Sequence, residues 1–357
     1  EKGGCFLYSR HFNPTVDILA RYLSAMEGTE FAVCTSSGMS AISCTLLQLC
    51  QNGDHIVASD TIYGGTHALL ADLLPQLGIT TTFVNPTDPT AFEKAITKQT
   101  RVLFTETMGN PTLKISDIPA LSKVAKAKGV SLVVDNTFTP MIFSPARLGA
   151  DVVVYSMTKY INGASDLVAG AICATKEMIH RLMDLHTGRV MLLGPTMDPR
   201  MAYDIIQRLP HLAIRMREHS RRALAVCSRL HELGVPVTYP GLPSFAQHDL
   251  ATQLINKGYG YGGMFTIDCG TRERADDLLD DLQNKEDFGY IAVSLGYFDT
   301  LMSCSGSSTS SEISQEEQLK MGLSPGLVRF SIGYTGTLEK RLEQIERAVK
   351  KIGLTTS

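Results

Sequence analysis

Lys159 is the sharpest candidate for nucleophilic chemistry in this sequence. It lies in the segment DVVVYSMTKYINGASDLVAGAI (residues 151–172), directly after an apolar run that is typical of a buried strand. A lysine at the edge of an apolar interior loses hydration, which disfavours its ammonium form and makes a nucleophilic amine available near neutral pH. Such an amine can form a Schiff base with a carbonyl compound, and a solvated loop lysine is the ordinary alternative at such a position.

Two other segments place polar groups at the ends of apolar runs. Asp135 ends the run in SLVVDN, and a carboxylate that leaves a buried strand needs a partner or water. In CTSSGMSAI, Ser37 and Gly38 lead into a helical pattern whose free N–H groups can hold a phosphate, and capping is the commoner role of such residues. A phosphate-binding turn, an acid able to pair with a pyridinium nitrogen and a Schiff-base lysine together indicate pyridoxal phosphate as cofactor.

The composition predicts a soluble globular protein of about two domains. The 357 residues are 44% apolar and 19% charged, and the net charge of −3 gives no general attraction for nucleic acid or anionic membranes. Eight scattered cysteines without a C-x-x-C pair are typical of reduced thiols in an intracellular protein, and we expect no metal site. No apolar run approaches the roughly 20 residues that span a bilayer. We therefore expect a cytoplasmic protein, although a targeting segment already removed would leave no trace.

The elements that must position these groups alternate between strands and helices in the first part of the chain. Short apolar runs such as HIVAS, RVLFTE and SLVVDN recur, with helical patterns such as ISDIPALSKVAKAKG between most of them. This alternation predicts an α/β domain with a mainly parallel sheet flanked by helices, whose ligand binds outside the carboxyl ends of the strands. From about residue 201 a long helical stretch and fewer strands predict a smaller α+β domain, in which residues 303–318 form a low-complexity loop.

Seven co-linear motifs resemble the Cys/Met-metabolism family of pyridoxal-phosphate enzymes. In chain order they are YSRHFNPT, SSGMSAI, TIYGGTHALL, ETMGNPTLKISDI, VVDNTFTP, SMTKYINGASDLVAGAI and SPGLVRFSIG. They cover essentially the whole chain and are most similar to the plant-type methionine γ-lyase branch, with which the chain shares the LMSCSGSSTSSE loop. The resemblance implies the aspartate-aminotransferase-like fold type I, with an arm at a subunit interface (1–25), a cofactor-binding domain (26–205) and a small C-terminal domain (206–357).

The resemblance also implies which residues hold the cofactor. Lys159 resembles the family's Schiff-base lysine, Asp135 the partner of the ring nitrogen, and Tyr63 the tyrosine that lies over the ring. Asn110 would lie beside the ring's phenolic oxygen. The implied phosphate ligands within the chain are main-chain N–H groups and hydroxyls: Gly38, Met39, Ser156 and Thr158.

Two further phosphate ligands would come from a neighbouring copy of the chain. In the family a tyrosine and an arginine of one subunit complete the phosphate site of the next, and they correspond to Tyr8 and Arg10 here. The resemblance therefore implies a homo-oligomer, with two catalytic dimers forming a tetramer.

The implied reaction is carried out on an amino acid. Arg329, which ends GLVR, would bind the α-carboxylate, helped by Ser294. Lys159 would take the Cα proton, and a second deprotonation at Cβ would expel the γ-substituent, with Tyr63 as acid and base near the leaving group. The implied enzyme is a carbon–sulfur lyase that converts L-methionine to 2-oxobutanoate, ammonia and methanethiol. Glu106 also stands at an acidic position of the family, and we expect its role to be structural.

Three departures from the family's patterns leave the exact substrate open. Gly65 stands where bacterial methionine γ-lyases have a cysteine, and we expect it to leave space near the γ-position. Tyr334 and Thr335 stand where cystathionine enzymes commonly have an acid, and CSGSSTSS (304–311) replaces their His-Pro-Ala-type loop, which disfavours cystathionine. The chain also begins almost at YSR, without the longer arm usual in the family.

Several alternatives therefore stay open. A sulfhydrylase or γ-synthase would use the same cofactor residues for γ-replacement on O-acetylhomoserine, and a cystathionine γ-lyase would use them for elimination. A non-catalytic protein could retain the fold, but every matching cofactor position is intact. The organelle is equally open.

Overall fold

The computed structural model of the chain describes residues 6–305 and 323–356. The segment NPTVDILARYLSAMEG predicts a helix with Asn13 as its cap, Pro14 in its first turn and Gly28 at its end, and the first long helix, α1 (Pro14–Glu27), has these limits. The side chain of Asn13 accepts the Thr15 N–H, and Gly28 ends the helix in the left-handed conformation with φ 85°. Leu19 and Leu23 of α1 are fully buried in the core of the large domain, so the helix is anchored to that domain.

Seven strands form the large sheet. They are β1 (Phe31–Thr35), β2 (His55–Ser59), β3 (Thr80–Val84), β4 (Thr100–Glu106), β5 (Ser131–Asp135), β6 (Val152–Ser156) and β7 (Gly170–Ala174). Their spatial order is β1-β7-β6-β5-β4-β2-β3. Only β7 runs antiparallel to its two neighbours within this described sheet, and the other adjacent pairs are parallel. The predicted mainly parallel sheet is confirmed.

Helices pack on both faces of this sheet. They include α2 (Gly38–Leu49), α3 (Gly64–Ala68), α4 (Leu74–Gln76), α5 (Pro89–Ala95), α6 (Ile118–Lys128), α7 (Lys176–Leu182) and α8 (Arg189–Leu193). Alternate residues of β6 show the two faces, because Val153 packs into the same core as α1 whereas Val154 packs into the same core as α2. A π-helical turn at Leu69–Leu73 lies between α3 and α4.

A smaller, mostly antiparallel sheet forms the C-terminal domain. Its strands, in the spatial order β10-β11-β12-β9-β8, are β8 (Val237–Thr238), β9 (Met264–Asp268), β10 (Tyr290–Ile291), β11 (Leu301–Cys304) and β12 (Leu327–Ser331). The helices of this half are α9 (Pro199–Arg208), α10 (Leu212–Glu232), α11 (His248–Leu254), α12 (Arg272–Asn284) and α13 (Leu338–Lys351). The predicted second α+β domain is confirmed.

One predicted loop begins too early. Ser303 and Cys304 belong to β11, because they are buried and pair with β12. The serine-rich sequence around them favoured a loop and gave no indication of this strand. Residues 306–318 of that loop, including most of the CSGSSTSS segment, lie outside the described residues. The predicted domain limits stay predictions, and α1 and α9 each run across one of them.

Candidate active site

The carboxyl ends of three neighbouring parallel strands carry the polar residues at the centre of the site. β4, β5 and β6 end in Glu106, Asp135 and Ser156, and Glu106 lies directly beside Asp135 in the sheet register. These residues line a cavity of about 240 Å³. Most of the residues predicted for the site also line it: Gly38, Met39, Tyr63, Asn110, Thr158, Lys159 and Arg329.

The amine of Lys159 points into this cavity from the turn that follows β6. Its Nζ donates a hydrogen bond to Ser294 Oγ at 2.9 Å, so the structure also brings the predicted Ser294 to the site. Burial, and then the positive charge of Arg329, lower the pKa of Lys159 to about 8. The amine therefore loses its proton far more easily than a solvated lysine does.

Arg215 holds the turn that carries Lys159, and sequence analysis missed it. From α10, Arg215 Nη1 donates to the Tyr160 carbonyl at 2.5 Å and Nη2 donates to the Ile161 carbonyl at 2.9 Å. Its guanidinium is buried and has no carboxylate in ion-pair range among the described residues. An arginine in a long amphipathic helix carries no signal of this contact, because the partner carbonyls are distant in sequence.

The start of α2 forms the end of the cavity suited to an anion. Ser37 caps the helix by accepting the Ser40 N–H at 3.1 Å, and the helix begins at Gly38. A Cβ at position 38 would stand 2.6 Å from the Cβ of Ser156, so only glycine lets the helix terminus approach this strand end. Free N–H groups and the Ser156 hydroxyl thus converge, which is the donor set that a phosphate requires.

Asp135 presents a buried carboxylate to the same cavity. Its Oδ1 accepts the Thr137 N–H at 2.9 Å, while burial raises its pKa to about 6. No lysine or arginine of the described chain forms an ion pair with it. A carboxylate in this setting fits a cationic ring nitrogen as its missing partner. Thr137, which also accepts the Ser156 N–H at 2.8 Å, is a cavity residue that sequence analysis did not identify.

Tyr63 and Asn110 are tied to the cavity by a shared acid. The Tyr63 N–H donates to Glu106 Oε1 at 2.7 Å, and the Asn110 N–H donates to Glu106 Oε2 at 3.0 Å. Burial, followed by the neighbouring charge of Asp135, raises the pKa of Glu106 well above its usual range. These two contacts support the structural role expected for Glu106.

Arg329 is buried within β12, with only 2% of its surface exposed. Its Nη1 donates to Asn110 Oδ1 at 3.0 Å, and its Nη2 donates to the carbonyls of Val293 and Ser294 at 3.0 and 3.2 Å. Burial lowers its pKa to about 10. No carboxylate of the described residues forms an ion pair with this guanidinium, so it suits the carboxylate of a ligand.

Two predicted site residues lie outside the cavity of their own chain. Tyr8 is 57% exposed, and Arg10 Nη1 donates to the Met191 carbonyl at 2.9 Å. The Arg10 guanidinium carbon lies 5.5 Å from the centre of the Tyr8 ring. A role for this pair at the cofactor would therefore require a second copy of the chain.

Two arguments about substrate choice need correction. A Cβ at Gly65 would stand 2.7 Å from Tyr63 Cε1, so the tyrosine ring fills the space that we expected to be open. Tyr334 and Thr335 do not line the cavity. The Tyr334 N–H donates to the Phe298 carbonyl at 2.7 Å, and the Thr335 hydroxyl donates to Asp299. These two residues thus carry no argument against cystathionine.

Two other features bear on what the described chain can bind. Within residues 6–305 and 323–356, no group of three or more histidine, cysteine or acidic side chains could hold a metal ion. In the same ranges no helix combines the length and apolar character needed to cross a membrane.

Comparisons with known proteins identify the family of the chain. A family model described as Cys/Met metabolism PLP-dependent enzyme matches residues 1–349. Methionine gamma-lyase of Arabidopsis thaliana is 54% identical over 345 residues, which cover 96% of this chain and 78% of that relative. Cystathionine gamma-lyase of Bacillus subtilis is 36% identical over 349 residues, which cover 97% of this chain and 89% of that relative.

A solved structure has the same fold. It is the cystathionine gamma synthase of Xanthomonas oryzae pv. oryzae in complex with aminoacrylate and cysteine, with 32% sequence identity and a TM-score of 0.90. The match covers 97% of this chain and 87% of that one. Because the family model spans nearly the whole chain and the cavity offers the lysine, carboxylate and anion site that pyridoxal phosphate needs, the chain belongs to the Cys/Met metabolism family of pyridoxal-phosphate-dependent enzymes.

Proposed function

We propose that this protein cleaves L-methionine by γ-elimination, giving 2-oxobutanoate, ammonia and methanethiol. The observation that carries the proposal is the position of Ser294 between the two groups that an amino acid needs. Its hydroxyl accepts from the Lys159 amine, and its carbonyl accepts from the Arg329 guanidinium. The amine-reactive and carboxylate-binding groups are thereby fixed relative to each other. The 54% identity to the Arabidopsis methionine gamma-lyase supports methionine as the substrate.

The cofactor would be held by residues around the cavity. Lys159 would bind it covalently, and Asp135 would pair with its ring nitrogen, beside Asn110 and under Tyr63. The phosphate would lie at the N–H groups and hydroxyls that converge at the start of α2: Gly38, Met39, Ser156 and Thr158. When bound, pyridoxal phosphate supplies a protonated ring that accepts electrons from the carbon next to the substrate's amino group.

The side chains of the cavity supply the remaining chemistry. Arg329 binds the substrate carboxylate, and the neutral Lys159 amine accepts the Cα proton. The amine would have to pass this proton on, to the bound cofactor or to water, before a second deprotonation at Cβ expels the sulfur, to which the Tyr63 phenol would donate a proton. Apolar side chains complete the lining and suit a methyl thioether: Ile42, Met108, Phe138, Val168, Val293 and Leu295.

The complete site would be formed by two copies of the chain. We place Tyr8 and Arg10 at the phosphate of a neighbouring subunit, in a tetramer of two catalytic dimers. Large apolar side chains that a single chain leaves exposed on α1 and α9 support such an assembly, including Ile18 at 47% and Tyr203 at 57%. A cytoplasmic location is also proposed, and buried thiols such as Cys227 that form no disulfide within the described residues support it.

Two other candidate reactions share these residues. Relatives of this chain include enzymes named for cystathionine cleavage and for cystathionine synthesis. Tyr334 and Thr335 do not line the cavity, so they do not argue against cystathionine γ-elimination. This reaction and γ-replacement on O-acetylhomoserine both stay alternatives.

Product analysis separates these reactions. The cofactor-loaded protein is incubated with methionine, cystathionine, homocysteine or O-acetylhomoserine, with and without a thiol, and all products are identified. We expect 2-oxobutanoate, ammonia and methanethiol from methionine alone. A new amino acid formed only from O-acetylhomoserine plus a thiol, with no keto acid from methionine, would replace the proposal with γ-replacement. Keto acid from cystathionine but not from methionine would replace it with cystathionine cleavage.

A further inference from the structure

Glu106 connects two separate segments of the active site. It ends β4 with 7% of its surface exposed and lines the cavity. One carboxylate oxygen accepts the main-chain N–H of Tyr63, in the loop before α3, at 2.7 Å. The other accepts the main-chain N–H of Asn110, in the turn after β4, at 3.0 Å.

The connection continues from Asn110 to the C-terminal domain. The side-chain oxygen of Asn110 accepts from Arg329 Nη1 at 3.0 Å, while the second guanidinium nitrogen is held by the Val293 and Ser294 carbonyls. A continuous series of hydrogen bonds thus runs from Tyr63 through Glu106 and Asn110 to Arg329. Under the proposed function its two ends contact the two ends of the substrate, the γ-substituent and the α-carboxylate.

Only a glutamate can make this connection with its side chain alone. An amide has one acceptor oxygen, and its NH₂ group would face one of the two N–H donors. Aspartate is one methylene shorter and cannot span the same two donors from the same strand end. Burying a carboxylate beside Asp135 costs free energy, because both groups lose hydration and like charges repel. A residue that served only as a structural anchor could have been neutral. The two N–H donors offset part of that cost, because each donates a hydrogen bond to one of the carboxylate oxygens.

We propose that Glu106 is a positioning residue that fixes the separation between Tyr63 and Arg329 and thereby matches the site to the length of the amino acid. This inference rests on the proposed function, in which both of those residues contact the substrate. The substrate it favours has its leaving group on Cγ, as in methionine, rather than on Cβ, as in S-methylcysteine. If the hydrogen bonds of Glu106 are weakened, the preference for methionine over S-methylcysteine should decrease.

The test compares Glu106→Gln with Glu93→Gln, an exposed acid that pairs with Lys128 at 3.2 Å. In Glu106→Gln we expect kcat/KM for methionine to fall about tenfold, since one hydrogen bond to a charged group is lost. The preference for methionine over S-methylcysteine should fall by about the same factor. Amide hydrogen exchange of the peptides containing Tyr63 and Asn110 should become faster both with and without cofactor. Glu93→Gln should change none of these quantities.

A second comparison tests the path through Asn110. Binding of L-norleucine, which has no leaving group, is followed by the change in cofactor absorbance. Glu106→Gln should weaken it about tenfold in the wild-type background and less than about twofold in Asn110→Ala, where the link to Arg329 is already broken. The same factor in both backgrounds, or equal losses for methionine and S-methylcysteine, would overturn the inference.

Two further results have defined meanings. If Glu106→Gln does not accumulate as folded protein, Glu106→Asp, which keeps the charge and loses the reach, replaces it in both comparisons with the same expectations. A wild-type protein that does not cleave methionine overturns the proposed function, whereas the norleucine comparison still decides whether Glu106 acts through Asn110.

Discussion

The proposed active site has a half that would hold the cofactor and a half that would bind the substrate, and the two are built in different ways. The cofactor half consists of strand ends and the turns after them, with Asp135 and Ser156 at adjacent carboxyl ends of the parallel sheet. The substrate half comes from the C-terminal domain, where Arg329 lies in the middle of β12, paired with Ser303 on one side and Thr266 on the other. Ser294 lies in an irregular segment between β10 and β11 and joins the halves through Lys159.

The two halves depend on the rest of the molecule to different extents. The position of Asp135 follows from the local rule that a parallel strand delivers its last residue to the ligand edge of the sheet. The position of Arg329 depends on how the small sheet packs against the large domain. Substitutions in the cofactor half should therefore weaken cofactor binding, whereas substitutions in the substrate half should weaken binding of the amino acid.

Lys159→Ala should have the largest effect, because Lys159 serves both halves. No other lysine lines the cavity within the described residues, so we expect no covalent cofactor and no turnover. Reduction with borohydride followed by peptide mapping measures this directly. Lys94→Ala, on an exposed face of α5, is the matched control and should retain both properties. A reducible adduct on another lysine would contradict the assignment.

Arg329→Ala should distinguish substrate binding from cofactor binding most clearly. Loss of the charge-assisted contact to the carboxylate should lower kcat/KM by roughly 30- to 1,000-fold, equivalent to roughly 2 to 4 kcal/mol. Most of the loss should fall on KM, and cofactor loading measured by absorbance should stay normal. Arg329→Lys keeps the charge without the two-pronged geometry and should recover part of the loss. An unchanged KM in loaded Arg329→Ala would show that the carboxylate binds elsewhere.

More of the residues around the cavity could be located from the sequence in the cofactor half than in the substrate half. Strand periodicity placed Asp135 and Lys159 at the ligand edge, and α1 was predicted to its caps because Asn13, Pro14 and Gly28 act locally. Arg215 and Thr137 were missed because their contacts join distant segments. The expectation of open space at Gly65 was wrong, and Tyr334 and Thr335 do not line the cavity, for a related reason. The position of a residue in a motif does not determine where a neighbouring side chain such as the Tyr63 ring lies, or whether the residue faces the cavity.

Arg10→Ala tests whether the cofactor half extends to a second subunit. If Arg10 binds a neighbour's phosphate, its loss should weaken cofactor affinity by roughly tenfold, since one charge-assisted contact disappears. Equilibrium dialysis against free cofactor measures the affinity, and KM for methionine at saturating cofactor should change little. Arg21→Ala, an exposed arginine of α1 paired with Asp17, is the control.

Mixed dimers decide in which chain Arg10 acts. At a cofactor concentration that leaves Arg10→Ala largely unloaded, Arg10→Ala and Lys159→Ala subunits are each defective, but if the phosphate site is shared, a hybrid dimer has one site that carries neither lesion. Activity should then reappear on mixing, up to about half of the wild-type value per dimer. Confirmed hybrids without activity would show that Arg10 acts within its own chain.

A buried acid lies behind the cofactor half and gives the smallest effect. Glu27, at the end of α1, is 1% exposed, and its Oε1 accepts the Ala146 N–H at 2.9 Å. The Tyr155 hydroxyl donates to its Oε2 and accepts from Asn136 Nδ2 at 2.9 Å. Tyr155 precedes Ser156 in β6, and Asn136 follows Asp135 after β5, so this network supports both strand ends. Burial raises the pKa of Glu27 to about 7.

The raised pKa of Glu27 predicts a pH-dependent stability. Between about pH 4.5 and 7 the folded protein retains a proton that the unfolded chain has released, so this contribution to the unfolding free energy is lost as pH rises through the window. Glu27→Gln has no such proton, and its stability relative to wild type should increase by roughly 1 to 3 kcal/mol from pH 5 to pH 8. Denaturant midpoints across this range measure the difference, with the exposed Glu343→Gln on α13 as control.

Because Glu27 contacts the strands of the cofactor half and not Arg329, KM for methionine should be unchanged while cofactor affinity shifts by a few-fold. A parallel pH dependence in Glu27→Gln and wild type would mean that Glu27 stays ionised in the folded protein.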